Sequence, residues 1–67
     1  MADEREIELV GSGLDRVQDV ARFLGLSRSM VYKLMDEAAL PYVKFGKSRR
    51  IPRRAVLEYA ASQIVPR

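Results

Sequence analysis

Residues 17–34, which read VQDVARFLGLSRSMVYKL, decide the fold. In the first half, apolar side chains recur at positions i, i+3, i+4 and i+7, namely at Val17, Val20, Ala21 and Leu24. One apolar stripe at this spacing predicts an amphipathic helix that ends near Leu24, where Gly25 interrupts the pattern. Asp15 stands three residues before Gln18, which predicts that Asp15 caps this helix in a variant of the capping box.

The second half of this stretch predicts another short helix. Ser27 is a favourable N-cap, and an apolar stripe follows it at Val31, Leu34 and Met35. Only Gly25-Leu26-Ser27 joins the two helices, and a glycine at a helix C-terminus takes the left-handed conformation that a sharp turn requires. Two short helices joined by such a turn form a helix-turn-helix unit. The small Ala21 allows the second helix to approach the first closely.

The chain beyond this unit predicts a hairpin and a third helix. Pro41 ends the second helix region, and residues 42–51 contain two short β-forming runs around a turn at Gly46-Lys47-Ser48. Pro52 suits the first position of a helix, and Pro66 is expected to end it. The predicted fold class is mainly α with a small β-hairpin.

Charge divides the chain into an acidic leader and a basic body. Up to Asp15 there are five acids and one base, whereas from Arg16 onward there are eleven bases and four acids. We expect residues 1–13 to form an acidic, flexible N-terminal leader, with at most a trace of strand at residues 7–9, because Gly11-Ser12-Gly13 disfavours a continuous helix. Residues 14–65 are expected to form one small domain. A basic body of this kind favours a polyanionic partner.

Several classes of function are excluded by what the sequence lacks. It contains neither Cys nor His, so a disulfide framework and a finger-type zinc site are ruled out. Asp36 and Glu37 are adjacent and therefore diverge on a helix, which does not suit acid–base catalysis. Gly46-Lys47-Ser48 is similar to the end of a phosphate-binding loop, but Pro41 stands where that loop has glycine. We therefore expect no enzyme activity, no cofactor and no metal.

The sequence also gives no indication of a membrane or secreted location. No apolar run approaches the roughly 18 residues that a membrane span needs. The first residues have neither a basic nor an apolar region of the kind found in secretory signals. A cytoplasmic protein is the expectation.

The densest cluster of charge lies in and after the hairpin. Six cations and no acid occur between residues 44 and 54, namely Lys44, Lys47, Arg49, Arg50, Arg53 and Arg54. Such a concentration costs free energy through self-repulsion, which a polyanion relieves. Protection of an edge strand is the alternative reason for charge on a hairpin, but two lysines are enough for that purpose.

A second group of candidate binding residues lies near the start of the second helix, opposite its apolar stripe: Ser27, Arg28, Ser29, Tyr32 and Lys33. The N-terminal end of a recognition helix is where side chains meet base edges and phosphates. Arg28 is the best candidate for a bidentate contact with guanine. Tyr32 and Lys33 are better suited to backbone phosphates.

These segments together resemble a known family, the excisionase-type, MerR-like winged helix-turn-helix domains. The resemblance rests on an Ala-x3-Gly-x-Ser-x3-Val-Tyr pattern in residues 17–34, on residues 40–51 as the wing and on residues 53–59 as the last helix. It covers residues 14–62 and implies a winged helix-turn-helix with three helices and a two-stranded wing. The small size is most similar to phage, including mycobacteriophage-type, or mobile-element excisionases, also called recombination directionality factors.

The resemblance implies a non-catalytic protein that binds double-stranded DNA in a bacterial host cell. Such proteins bind adjacent sites cooperatively with further copies of themselves, bend the DNA and direct an integrase, a tyrosine or serine recombinase, toward excision. By this likeness Arg28, Ser29, Tyr32 and Lys33 enter the major groove, whereas Lys47, Ser48, Arg49 and Arg50 follow the neighbouring minor groove. Two alternatives stay open: a small transcriptional regulator that uses the same surface, and an antitoxin-like or adaptor-like protein-interaction module.

Overall fold

The computed structural model describes residues 2–66 of the chain. In chain order the elements are α1 (Glu4–Gly11), β1 (Leu14–Arg16), α2 (Val17–Leu24), α3 (Arg28–Asp36), β2 (Val43–Phe45), β3 (Ser48–Pro52) and α4 (Arg53–Ser62). The predicted class, mainly α with a small β-hairpin, is confirmed. The described residues contain four helices and three strands, one of each more than the sequence predicted.

Helices α2 and α3 form the predicted helix-turn-helix. Gly25 ends α2 with a φ of 70°, and the N–H of Leu26 donates to the carbonyl of Ala21 at 2.9 Å. A residue with a side chain is strained in this left-handed conformation, which explains the glycine. Ser27 caps α3 as predicted, because its Oγ accepts a hydrogen bond from the N–H of Met30 at 3.1 Å.

The hairpin is also present, but it belongs to a three-stranded antiparallel sheet of order β1-β3-β2. Strands β2 and β3, with the turn between them, form the wing. The additional strand is β1, and it shows that the prediction for Asp15 is wrong. Asp15 lies in β1 opposite Ile51 instead of capping α2. Arg16 occupies the N-cap position of α2 without a side-chain hydrogen bond. Backbone hydrogen bonding between β1 and the edge of β3 that β2 leaves free is more favourable than the local cap. The Asp15 carboxylate binds Arg53 instead.

Helix α4 differs from the prediction at both ends. Pro52 is its N-cap and not its first residue, and the helix ends at Ser62, before Pro66. The segment that precedes β1 caps the N-terminus of α4. The carbonyl of Gly13 accepts a hydrogen bond from the N–H of Arg53 at 2.9 Å, and Ser12 Oγ accepts one from the N–H of Arg54 at 3.1 Å. Beyond Ser62 the apolar side chains are exposed, so burial adds nothing to a longer helix.

The sequence predicted no helix in the leader, but the structure has one, α1, at Glu4–Gly11. The flexibility of the leader stays a prediction. Asp3 and Glu6 make a reciprocal capping box, in which each carboxylate accepts from the other residue's backbone N–H, at 2.9 and 3.0 Å. Acidic side chains in the first turn also interact favourably with the helix dipole. The helix buries no residue and packs against α4.

One apolar core holds the helix pair, the sheet and α4 together. Its buried members are Val17, Val20, Ala21, Val31, Leu34, Met35, Leu40, Ile51 and Val56. Leu40 and Ile51 are completely buried, which places the segment before β2 and the strand β3 directly on the core. The orientation of the wing relative to α3 is therefore fixed by apolar packing. Within residues 2–66 no helix is long and apolar enough to cross a membrane.

Candidate nucleic-acid interface

A basic groove lies between the N-terminal ends of α2 and α3 and the wing. It has a volume of about 280 Å³ and is lined by Arg16, Val17, Gln18, Arg28, Tyr32, Lys47, Ser48, Arg49 and Arg50. Five of these residues are cationic and none is acidic. Cationic side chains gathered without an acid among them give the groove a positive potential, which favours an anionic ligand.

Helix α3 contributes Arg28 and Tyr32 to this groove. Arg28 is the first residue of the helix and its side chain is exposed, so the guanidinium is free to reach a ligand beyond the protein surface. Ser27 is engaged as the cap of the helix. Lys33 lies 3.9 Å from Glu37, and both side chains are exposed, so this ion pair contributes little to stability.

Arg49 connects the wing to the recognition helix. Its guanidinium carbon lies 4.6 Å from the ring centroid of Tyr42 and 5.5 Å from that of Tyr32, while Nη1 is 3.3 Å from Asp36 Oδ1. Stacking on two aromatic rings and pairing with a carboxylate hold the side chain in one place. The Arg49 side chain is only 28% exposed, so its main role is to hold β3 against α3.

The basic stretch predicted as one cluster is divided by the fold. Arg53 lies outside the groove and binds Asp15 with two hydrogen bonds, of 2.9 and 3.3 Å. The Asp15 carboxylate raises the pKa of the Arg53 guanidinium above its ordinary value, first through these hydrogen bonds and then through its charge. Arg54 lies near α1 and pairs with Glu58 at 3.5 Å. Lys44 is exposed on β2, opposite Arg49.

Two polar residues of the groove were missed by sequence reasoning. Arg16 pairs with Arg50 across β1 and β3, and Gln18 follows in the first turn of α2. Their position depends on β1, which the sequence did not predict. The signal available for Arg16 was its place as the first base of the basic body.

The helix pair, the wing and the basic groove define a winged helix-turn-helix DNA-binding domain. The chain belongs to the family described as "Helix-turn-helix domain", whose profile matches residues 16–64. The family and the groove assign the protein to the DNA-binding class. This match confirms the family expected from the helix pair.

The chain is also similar to a curated protein of Saccharopolyspora erythraea named "Probable excisionase". The two are 42% identical over 48 residues, which cover 72% of this chain and 49% of the relative. The chain thus matches about half the length of that relative. No solved structure gives a significant match. The predicted likeness to excisionase-type helix-turn-helix proteins is confirmed, whereas the MerR-like subdivision and a mycobacteriophage source stay predictions.

Proposed function

We propose that the protein is an excisionase: a sequence-specific, DNA-bending factor that directs an integrase toward excision. The observation that carries this proposal is the basic groove at the end of α3, in a chain similar to a probable excisionase. The DNA-binding class follows from the fold and family. The excisionase role goes further, because it names an integrase as the partner and excision as the favoured direction of recombination.

In the proposed complex α3 enters the major groove. Arg28 leads the helix and is exposed, which suits a bidentate contact with guanine, while Tyr32 binds a phosphate. Arg16 reaches the same DNA phosphate backbone from the N-terminus of α2, a helix that lacks a side-chain cap. The proposed site on α3 also includes Ser27, Ser29 and Lys33.

The wing then follows the backbone beside that major groove. Lys47 and Ser48 lie at its turn, and Arg50 lies where β3 meets β1. Arg49 keeps the wing at a fixed angle to α3, so the two parts of the site bind as one rigid surface. Lys44 extends the surface, and Arg53 and Arg54 belong to the flank of the proposed site.

The small interface implies that several copies act together. A single DNA-binding module buries roughly 600–1,000 Å² of protein surface, which gives limited specificity by itself. Bending 20–30 base pairs by 40–90° costs on the order of 1–6 kcal/mol. Several copies bound side by side offset that cost, which supports cooperative binding next to the integrase.

A recombination assay tests the excisionase role. An integrase is first sought among the genes that adjoin the gene of this protein. It is then supplied with two plasmid substrates, one carrying the pair of sites used for integration and one carrying the pair used for excision. Adding the protein is expected to raise the yield of the excision product at least about tenfold, equivalent to about 1.4 kcal/mol of differential stabilisation, and to lower the yield of integration.

The Arg28→Ala variant is the control, because it removes the main candidate for base recognition at an exposed position, where the fold is expected to persist. It is expected to lose the directional effect. If the wild-type protein binds DNA specifically and leaves both yields unchanged, the excisionase role is wrong and a transcriptional regulator becomes the better assignment. If it binds an acidic protein and no duplex, the protein-interaction alternative is correct.

A further inference from the structure

The wing carries a large, exposed apolar side chain next to its turn. Phe45 ends β2 beside the turn at Gly46, and 57% of its surface is exposed. It lies outside the core cluster that fixes the rest of the wing. Lys44 and Lys47 stand on either side of it in the chain, and both are exposed. An exposed aromatic ring between two lysines is suited to a ligand that offers both negative charge and flat apolar surface.

The register of the sheet shows which way this ring faces. Phe45 lies opposite Ser48, and Val43 lies opposite Arg50, so these four side chains share one face of the wing. Ser48 and Arg50 both line the basic groove. Phe45 therefore shares the face of the wing that carries Ser48 and Arg50, at the end farthest from the core, whereas Arg49 contacts α3 from the opposite face.

We propose that Phe45 is a wedge that inserts between two base pairs of the minor groove and causes much of the DNA bend. The inference rests on the proposed function, because it assumes that α3 occupies a major groove. Major and minor grooves alternate along one side of a duplex, so a hairpin beside that helix meets the adjacent minor groove. Apolar side chains inserted there unstack a base step and kink the duplex toward the major groove.

The flanking charges support this role. Lys44 and Lys47 neutralise phosphates on the two sides of the minor groove, which holds the ring at the base step. Pyrimidine–purine steps such as TA unstack most easily. Phe45 therefore favours sites with such a step beneath the wing, a preference that requires no hydrogen bond to a base.

The test measures DNA bending and base unstacking separately from binding. The wild-type protein first selects duplexes from a randomised pool. The selected duplex then carries fluorescent donor and acceptor dyes at its ends, and 2-aminopurine replaces adenine at one step at a time. We compare the wild type with Phe45→Ala, Phe45→Leu and Phe23→Ala. Phe23 is the matched control, since it is 62% exposed and lines a different hollow, between α2 and α4.

We expect the wild-type protein to increase 2-aminopurine fluorescence at one step and Phe45→Ala to lose that increase. The bend should fall by at least about 20°, the lower limit for kinks made by such wedges. The affinity of Phe45→Ala for the duplex should fall about fivefold, which is at the low end of the losses found when a ring that stacks on a base is removed. Phe45→Leu should restore most of the bend, and Phe23→Ala should behave as the wild type.

Three results would overturn the inference. One is a Phe45→Ala protein that bends and unstacks DNA as the wild type does. Another is an equal loss with Phe23→Ala. The third is a Phe45→Ala protein that loses only cooperativity between copies, which assigns the ring to a protein contact. A wild-type protein that binds no duplex refutes the proposed function as well, so the two failures are distinguishable.

Discussion

The double substitution Arg28→Glu and Lys47→Glu is expected to weaken DNA binding by about 100-fold or more, since loss of one arginine contact to a base alone costs about 1–3 kcal/mol. The two residues line opposite sides of the basic groove, one on α3 and one on the wing. Each reversal removes an attraction and adds a repulsion next to the phosphates. Both side chains are exposed, so the fold is expected to persist. Fluorescence anisotropy with a labelled duplex measures the change.

The matched control is Arg22→Glu with Arg5→Glu. It changes the net charge by the same amount, at exposed positions that do not line the groove. We expect it to weaken binding about tenfold at most, because exposed charges beyond a Debye length of about 8–10 Å are largely screened. Equal losses for the two double variants would show that net charge, and not the groove, governs binding.

Leu40→Ala is expected to produce the largest loss of stability. Leu40 is completely buried between α3 and the wing. Truncating a buried leucine costs about 2–5 kcal/mol, because the cavity left behind collapses only in part. The core of a domain of this size rarely supplies more than about 3–5 kcal/mol, so most of the variant should be unfolded at 25 °C. Urea denaturation followed by far-ultraviolet circular dichroism measures the free energy of unfolding.

The same substitution at Leu57 provides the comparison. Leu57 lies on α4 with 51% of its surface exposed, so Leu57→Ala should change the free energy of unfolding by less than about 0.5 kcal/mol. A stable Leu40→Ala protein would contradict the packing that joins the wing to the helix pair. In that event the fixed angle between α3 and the wing would depend on the contacts of Arg49 alone.

Sequence reasoning predicted the helix pair well because its determinants are local. The apolar stripe, Gly25 and Ser27 each act within one or two turns of the chain, and the structure uses each of them as expected. The hairpin was found for the same reason. Asp15 shows the limit of this approach, because its local capping pattern lost to pairing with Ile51 and Arg53, which are distant in sequence.

The leader shows a different limit. Its composition is typical of a flexible segment, and Gly11 with Gly13 suggests a break. The capping box of Asp3 and Glu6 nevertheless starts a helix, and that helix packs against α4. Helix α4 lies next to α1 only in the folded chain, so the sequence alone could not show that α1 has a surface to pack against.

The candidate site was predicted in part. Arg28, Tyr32, Lys47, Ser48, Arg49 and Arg50 lie in one groove, as the sequence predicted for the helix and the wing. A count of charges along the chain could not separate these residues from Arg53, which folds back onto Asp15. It could not show that Arg49 is stacked on two tyrosines, since Tyr32 and Tyr42 come from different elements.

The salt dependence of binding tests the central claim, that the groove between α3 and the wing binds duplex DNA through its phosphates. Five cations line the groove, of which Arg49 is already paired and Arg28 is assigned to a base. Arg16, Lys47 and Arg50, together with Lys44 on β2, should therefore neutralise about four phosphates. Each contributes about −0.9 to the slope of log K against log salt concentration, which predicts a slope near −4 and a loss of roughly 100-fold between 50 and 200 mM salt. A slope near zero, or no binding at 50 mM salt, would contradict the account.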